Sequence, residues 1–227
     1  MGQPTARRPW LVGVSGASGS PYARAVLTGL LDAALPVDLV VSRAARLAIL
    51  DETGVAFRDA HWRDDLAGWL RRDIGPDDVM HWPAGDLAAA VSSGSYPTRG
   101  MIVVPASTAA VAGIAAGLSK DLLQRAADVT LKERRALVVV PRETPYTRAT
   151  LQHLLALHEA GATVLPATPA CYAGAESVQQ LVDFVAGKIL DVLGVEHDLF
   201  QRWAGQLGAA RHGGSAAGRT AEPGPAR

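Results

Sequence analysis

A single cysteine, Cys171, stands among the 227 residues. That excludes an internal disulfide, and the six histidines are too scattered for a zinc site of Cys/His spacing. Aromatic residues are sparse, at 5%. Neither sign of charge is in excess, because 22 Lys and Arg balance 22 Asp and Glu. No global field therefore draws in nucleic acid or an anionic membrane, and affinity for an anion has to be local. No apolar run is long enough for a membrane span. The opening MGQPTARRPW has two arginines but lacks the apolar stretch of a signal peptide. Ala6 stands where a myristoylation signal has Ser or Thr. These absences predict a soluble, cytoplasmic protein with no bound metal.

What is present is aliphatic: 48% of the chain is hydrophobic, much of it Ala, Val and Leu, with 23 glycines. A chain of this length buries a substantial core in one domain. Short apolar runs at 10–14, 37–41, 101–104, 136–140 and 163–165 read as strands, the third broken by Pro105. Helical spacing marks 20–31, with Ser20 as N-cap, and 43–52, with Ala44, Leu47, Ala48 and Leu50 as its apolar members. A short amphipathic helix is expected near 64–72, a small-residue helix over 106–116, and further helices over 147–160 and 177–193. Gly117 and Ser119 are expected to end one helix and cap the next. Strands alternating with helices predict an α/β fold, a Rossmann-like (flavodoxin-type) doubly wound parallel sheet in a single domain over 1–204. Residues 205–227 read as a disordered tail.

In such a fold ligands bind outside the carboxyl ends of the strands. Those ends carry Gly16, Ala17 and Ser18, then Ser42, then Ser107 and Thr108, then Arg142 with Glu143, then the loop holding Tyr172. The glycines at 13, 16 and 19 do not make the dinucleotide fingerprint G-x-G-x-x-G. They still make a Ser/Gly turn before a helix, which suits a phosphate or a flavin. The stretch 119–145 adds Arg125 and Lys132, seven residues apart on one helix face, with Asp128 between them. Taken alone that face could equally be solvated surface.

The motifs GVSGASGS at 13–20, VSRAAR at 41–46, SSGS at 92–95, RAADVTLKERR at 125–135 and VVVPRE at 138–143 resemble the UbiX/Pad family of flavin prenyltransferases. The resemblance runs from Leu11 to about Trp203. It implies metal-independent transfer of a dimethylallyl group from dimethylallyl phosphate to N5 and C6 of reduced FMN. The product, prenylated FMN, would serve UbiD-type decarboxylases. It further implies that Gly16, Ala17, Ser18, Ser42, Ser107, Thr108, Ala109, Ala110 and Arg125 bind FMN. Ser93, Gly94, Lys132, Arg142, Tyr172 and Lys188 would surround the donor phosphate. Ser18, Glu52 and Glu143 would move protons. A homo-oligomer, commonly a dodecamer, is expected, with sites completed by neighbouring subunits.

Four positions depart from the family's pattern. Ala106 replaces a common Cys, Ala110 a Thr, Lys188 an Arg in some relatives, and Leu87 or Ala88 a Trp that would lie against the flavin. Tyr96 or another aromatic would have to substitute for that Trp. Two other readings compete with the prenyltransferase. One is an FMN-dependent decarboxylase, whose relatives use a His in the first-helix region where Tyr22 stands; the other is a non-catalytic FMN-binding partner.

Overall fold

The computed structural model describes residues 8–203; the tail expected over 205–227 lies outside them. Six strands form one parallel sheet. They are β1 (Trp10–Val14), β2 (Val37–Val41), β3 (Val79–His81), β4 (Gly100–Ala106), β5 (Ala136–Pro141) and β6 (Thr163–Val164), in the order β3-β2-β1-β4-β5-β6. The chain works outward from β1 to β3, then returns to place β4 on the other side of β1. That reversal opens a crevice between the carboxyl ends of β1 and β4. Without the three-residue edge strand β3, the order is that of a flavodoxin-type sheet.

Alternation along each strand serves two cores. Trp10, Val12 and Val14 face one way with Leu39, Ile102 and Val138. Against them pack α1 (Ser20–Asp32), α2 (Arg43–Thr53), α3 (Trp62–Leu70) and α7 (Val178–Leu193). Leu11, Met101, Val103, Leu137 and Val139 face the other way, under α4 (Thr108–Ala115), α5 (Leu122–Lys132) and α6 (Arg148–Glu159).

Several local expectations change. The third predicted strand does not stop at Pro105: β4 continues to Ala106. Its register with β5 shifts between Val103 and Ala106, and an irregularity there accommodates a proline that cannot donate to the ladder. Asp121, not Ser119, caps α5 by accepting from the Gln124 N–H. The apolar phase assigned to α2 is wrong. Ala45 and Ile49 are buried, whereas Leu47 is 68% and Leu50 46% exposed. Ser177 caps α7 as expected, in a reciprocal capping box with Gln180.

Gly100 opens β4 between β1 and β5, with φ +156°. A Cβ there would lie 2.4 Å from the Ala136 carbonyl oxygen and 2.7 Å from the Trp10 ring. A carbonyl in a ladder cannot step aside as a side chain can. Gly100→Ala is therefore expected to destabilise the fold by about 2 kcal/mol or more, read as a lowered urea midpoint with an unchanged slope.

Candidate active site

The crevice between β1 and β4 is closed at its floor by one hydroxyl. Buried Ser15 donates from Oγ to the Pro105 carbonyl at 2.8 Å and accepts from the Ser107 N–H at 2.7 Å. This staple, which sequence reasoning passed over, sets the two loops beside each other. Ser42 Oγ accepts from the Ala45 N–H at 3.1 Å and Ser107 Oγ from the Ala110 N–H at 3.2 Å. Both serines thus cap helices through an oxygen lone pair, and each keeps its O–H proton for a ligand. A cavity of about 440 Å³ lies here, lined by Ser15, Gly16, Ser42, Ser107, Ala109 and Ala110. It falls within the range of small-molecule sites, roughly 300–1,000 Å³. Arg43, Lys120 and Gln124 also line it. They were not among the expected site residues, although Arg43 adjoins Ser42 and Lys120 adjoins the α5 cap. Thr108 opens α4, and Ala17 is buried in the loop after β1. A Cβ on Gly16 would lie 2.3 Å from the Ala44 Cβ, so only glycine lets this loop meet α2.

Helix α2 lies along the carboxyl edge of the sheet and does not turn straight back beneath it. It starts at the end of β2 and finishes with Glu52 against the start of α1. The Gly19 N–H donates to Glu52 Oε1 at 2.8 Å and the Ser20 N–H to Oε2 at 2.7 Å. The expected cap, the Ser20 hydroxyl, is not used; Ser20 is the first helical residue and a carboxylate from another helix does the capping. Gly19 has φ +123°, a conformation open to glycine. Burial pushes the Glu52 carboxyl up, but the Ser20 and Ser18 hydroxyls and the two N–H groups outweigh it. Glu52 therefore titrates below the ordinary 4.5 and is ionised at neutral pH.

Arg142 follows β5 onto the same edge, its N–H donating to the Ala106 carbonyl at 3.2 Å. A Cβ on Gly19 would lie 3.7 Å from Arg142 Cδ, which sets this side chain beside the α1 entrance. Its Nε is buried with no protein partner among the described residues. Glu143 accepts from the Thr144 N–H at 3.0 Å. Tyr146 stands close by; burial and the Glu143 charge push its phenol up.

Lys132 is elsewhere. Helix α5 runs antiparallel to the strands, from Asp121 at the carboxyl edge to Lys132 just before β5 begins. One strand length, about 17 Å, separates that edge from Arg142. Ser93 and Gly94 belong with Lys132: a Cβ on Gly94 would meet Glu133 Oε1 at 2.1 Å and Lys132 Nζ at 2.7 Å. Glu133 pairs with Lys132, and Ser93 Oγ lies 2.9 Å from Ser95 Oγ. Arg135, another residue passed over, grips this loop. It donates to the carbonyls of Gly94 at 2.6 Å and Tyr96 at 2.8 Å, and to Thr98 Oγ1 at 3.2 Å. Arg125 lies between the edges, donating to the Ser92 carbonyl at 3.2 Å and to Asp128 at 2.8 Å.

Tyr172 and Lys188 form a third group on the α7 side. Tyr172 is half-exposed, edge-on to Phe184 and Trp203, each 5.8 Å away by ring centroids. Lys188 donates to Asp191 at 3.2 Å. Tyr96 packs edge-on against Trp82 at 6.3 Å. Among the described residues no group of three or more His, Cys, Asp or Glu is placed to hold a metal ion. No helix among them is long and apolar enough to cross a membrane.

The Flavoprotein family profile matches residues 2–190. Flavin prenyltransferase UbiX of Streptomyces coelicolor is 66% identical over 212 residues, 89% of this chain and 98% of that protein. Among solved structures, AnUbiX (PadA1) in complex with FMN and dimethylallyl pyrophosphate is 35% identical with a TM-score of 0.76. That match covers 88% of this chain and 99% of that one. A dodecameric FMN-dependent UbiX-like decarboxylase from Escherichia coli O157:H7 is 38% identical, also with a TM-score of 0.76, over 87% of this chain and 100% of that one. With the sheet-edge cavity, the arginine beside it and these relatives in agreement, the chain belongs to the UbiX family of flavin prenyltransferases.

Proposed function

We propose that reduced FMN occupies the cavity between β1 and β4, and that a dimethylallyl phosphate donates its prenyl group there. The observation that carries this reading is the cavity itself. Ser42 and Ser107 offer it hydroxyl protons, the N-termini of α2 and α4 point at it, and Arg43 and Lys120 line it. Gly16, Ala109 and Ala110 supply its small-residue walls; Ala17, Ser18 and Thr108 adjoin them in the chain, and Arg125 is the cation further along α5. FMN provides the nucleophilic N5. As the N5–carbon bond forms, the carbon–oxygen bond to phosphate breaks and phosphate leaves with the electron pair. Closure at C6 then needs one proton added to the prenyl double bond and one removed from the ring, so that the two transfers balance.

The chain's own residues act on the departing charge and on those protons. Arg142, with a buried and unpartnered Nε, is suited to the phosphate, and a guanidinium holds two oxygens at once. Lys132, Ser93 and Gly94 complete the phosphate shell from the other edge of a neighbouring copy, since one chain keeps them a strand length from Arg142. Tyr172 and Lys188 add to it from α7. Glu143 beside Arg142 and the ionised Glu52 beside Ser18 are placed to take and pass protons. The resulting prenylated FMN goes on to a UbiD-type decarboxylase, and the enzyme works in the cytoplasm as a homo-oligomer.

Three outcomes test this reading. Incubating the protein with reduced FMN and dimethylallyl phosphate should give an extracted flavin heavier by one prenyl unit in mass spectrometry. Unmodified flavin, with or without decarboxylation of an added aromatic acid, would sink the assignment. Lys132→Ala and Arg142→Ala should each be nearly inactive, yet chains of the two variants assembled together should recover about a quarter of wild-type activity, the share of sites that receive both intact residues. Recovery of nothing would place both residues in a site made by one chain. Glu52→Gln should lower stability at neutral pH. Because the folded-state pKa is depressed, the wild-type advantage is present above the ordinary carboxylate range and is lost as pH falls through the lowered value. Urea midpoints of the two proteins should therefore converge on acidification.

A further inference from the structure

One carboxylate on α7 serves three donors. Asp191 Oδ2 accepts from Lys188 Nζ at 3.2 Å, while Oδ1 accepts from Arg202 at 2.8 Å and lies 3.1 Å from His197 Nε2. His197 Nδ1 accepts from the Leu199 N–H at 3.2 Å, which makes Nε2 the proton-bearing nitrogen. Burial pushes the Asp191 carboxyl up, but hydrogen bonds from Arg202, Lys188 and His197 outweigh it and hold it at about 2. The charge on Asp191 is thus permanent at any working pH. The same segment lays Phe200 on Phe184 at 4.9 Å and Trp203 on Tyr172 at 5.8 Å. Lys188 and Tyr172 are therefore tied to one strap of chain following α7.

We infer that Asp191 is a positioning residue for the donor-phosphate site, one that holds Lys188 until a phosphate takes it. The inference rests on Lys188 being a phosphate ligand. Lys188 is 46% exposed and its pair with Asp191 spans one helical turn, so the contact is weak and readily exchanged. When Lys188 leaves, Arg202 and His197 stay on Asp191, so no bare carboxylate faces the arriving dianion. When the prenyl group has moved, Asp191 competes again for Lys188 and loosens the phosphate product. Asp191 in this account weakens phosphate binding and so speeds turnover.

The test is Asp191→Asn in the full chain, with reduced FMN saturating, the donor varied and inorganic phosphate as inhibitor. The KM for donor and the inhibition constant of phosphate are both expected to fall about two- to fivefold, and kcat to fall with them. FMN affinity should be unchanged, and Asp191→Glu, which keeps the charge, should stay close to wild type. A purely structural role predicts the reverse sign, so a raised or unchanged KM overturns the inference. In Lys188→Ala the donor KM and the phosphate inhibition constant should rise, and adding Asp191→Asn should have no further effect. If Lys188→Ala changes neither constant, Lys188 is not a phosphate ligand and the underlying reading fails with the inference. If Lys188→Ala behaves as expected but Asp191→Asn does not lower KM, only the role of Asp191 falls.

Discussion

The site depends on a carboxylate of one helix closing the start of another. Four N–H groups at any helix start lack partners within the helix. At α1 two of them, of Gly19 and Ser20, are met by Glu52 from the end of α2. The bond has two consequences. It draws α2 across the carboxyl edge of the sheet so that this helix becomes a wall of the crevice. It also keeps a negative charge where the dipole of α1 favours one. The two hydrogen bonds that fix this packing thus also help, after the Ser20 and Ser18 side chains, to keep the carboxyl ionised despite partial burial.

That position of α2 explains what periodicity misread. Leu47 and Leu50 look like core residues of a helix lying on a sheet, but the helix runs along the edge and turns them outward. Ala45 and Ile49 reach the core instead. The alternation of strands and helices was legible because each strand is a short apolar run covered on both faces. The edge strand β3 was not, since three residues in a charged region carry no period. Ser42 and Ser107 were recognisable from their place after strands. Ser15 and Arg135 were not, because their partners lie 90 and about 40 residues away in the chain. No local pattern announces such bonds.

The candidate residues also divide in a way sequence spacing hides. Arg125 and Lys132 share a helix face, yet Lys132 sits at the end of α5 remote from Arg142 because the helix returns along the sheet. Residues close in a motif are thus apart in the chain's own fold. The exposed apolar side chains of α2, together with Leu118, Leu151 and Leu155, leave hydrophobic surface on a single chain that assembly would cover.

The grip of Arg135 on the loop at Gly94, Tyr96 and Thr98 carries a thermodynamic consequence. A serine- and glycine-rich loop has many conformations to lose when it meets a ligand or another chain. Three hydrogen bonds from one guanidinium remove much of that freedom at the moment the chain folds. Whatever later docks on this loop meets a surface already in one shape, and its affinity is not eroded by the entropy of arranging it.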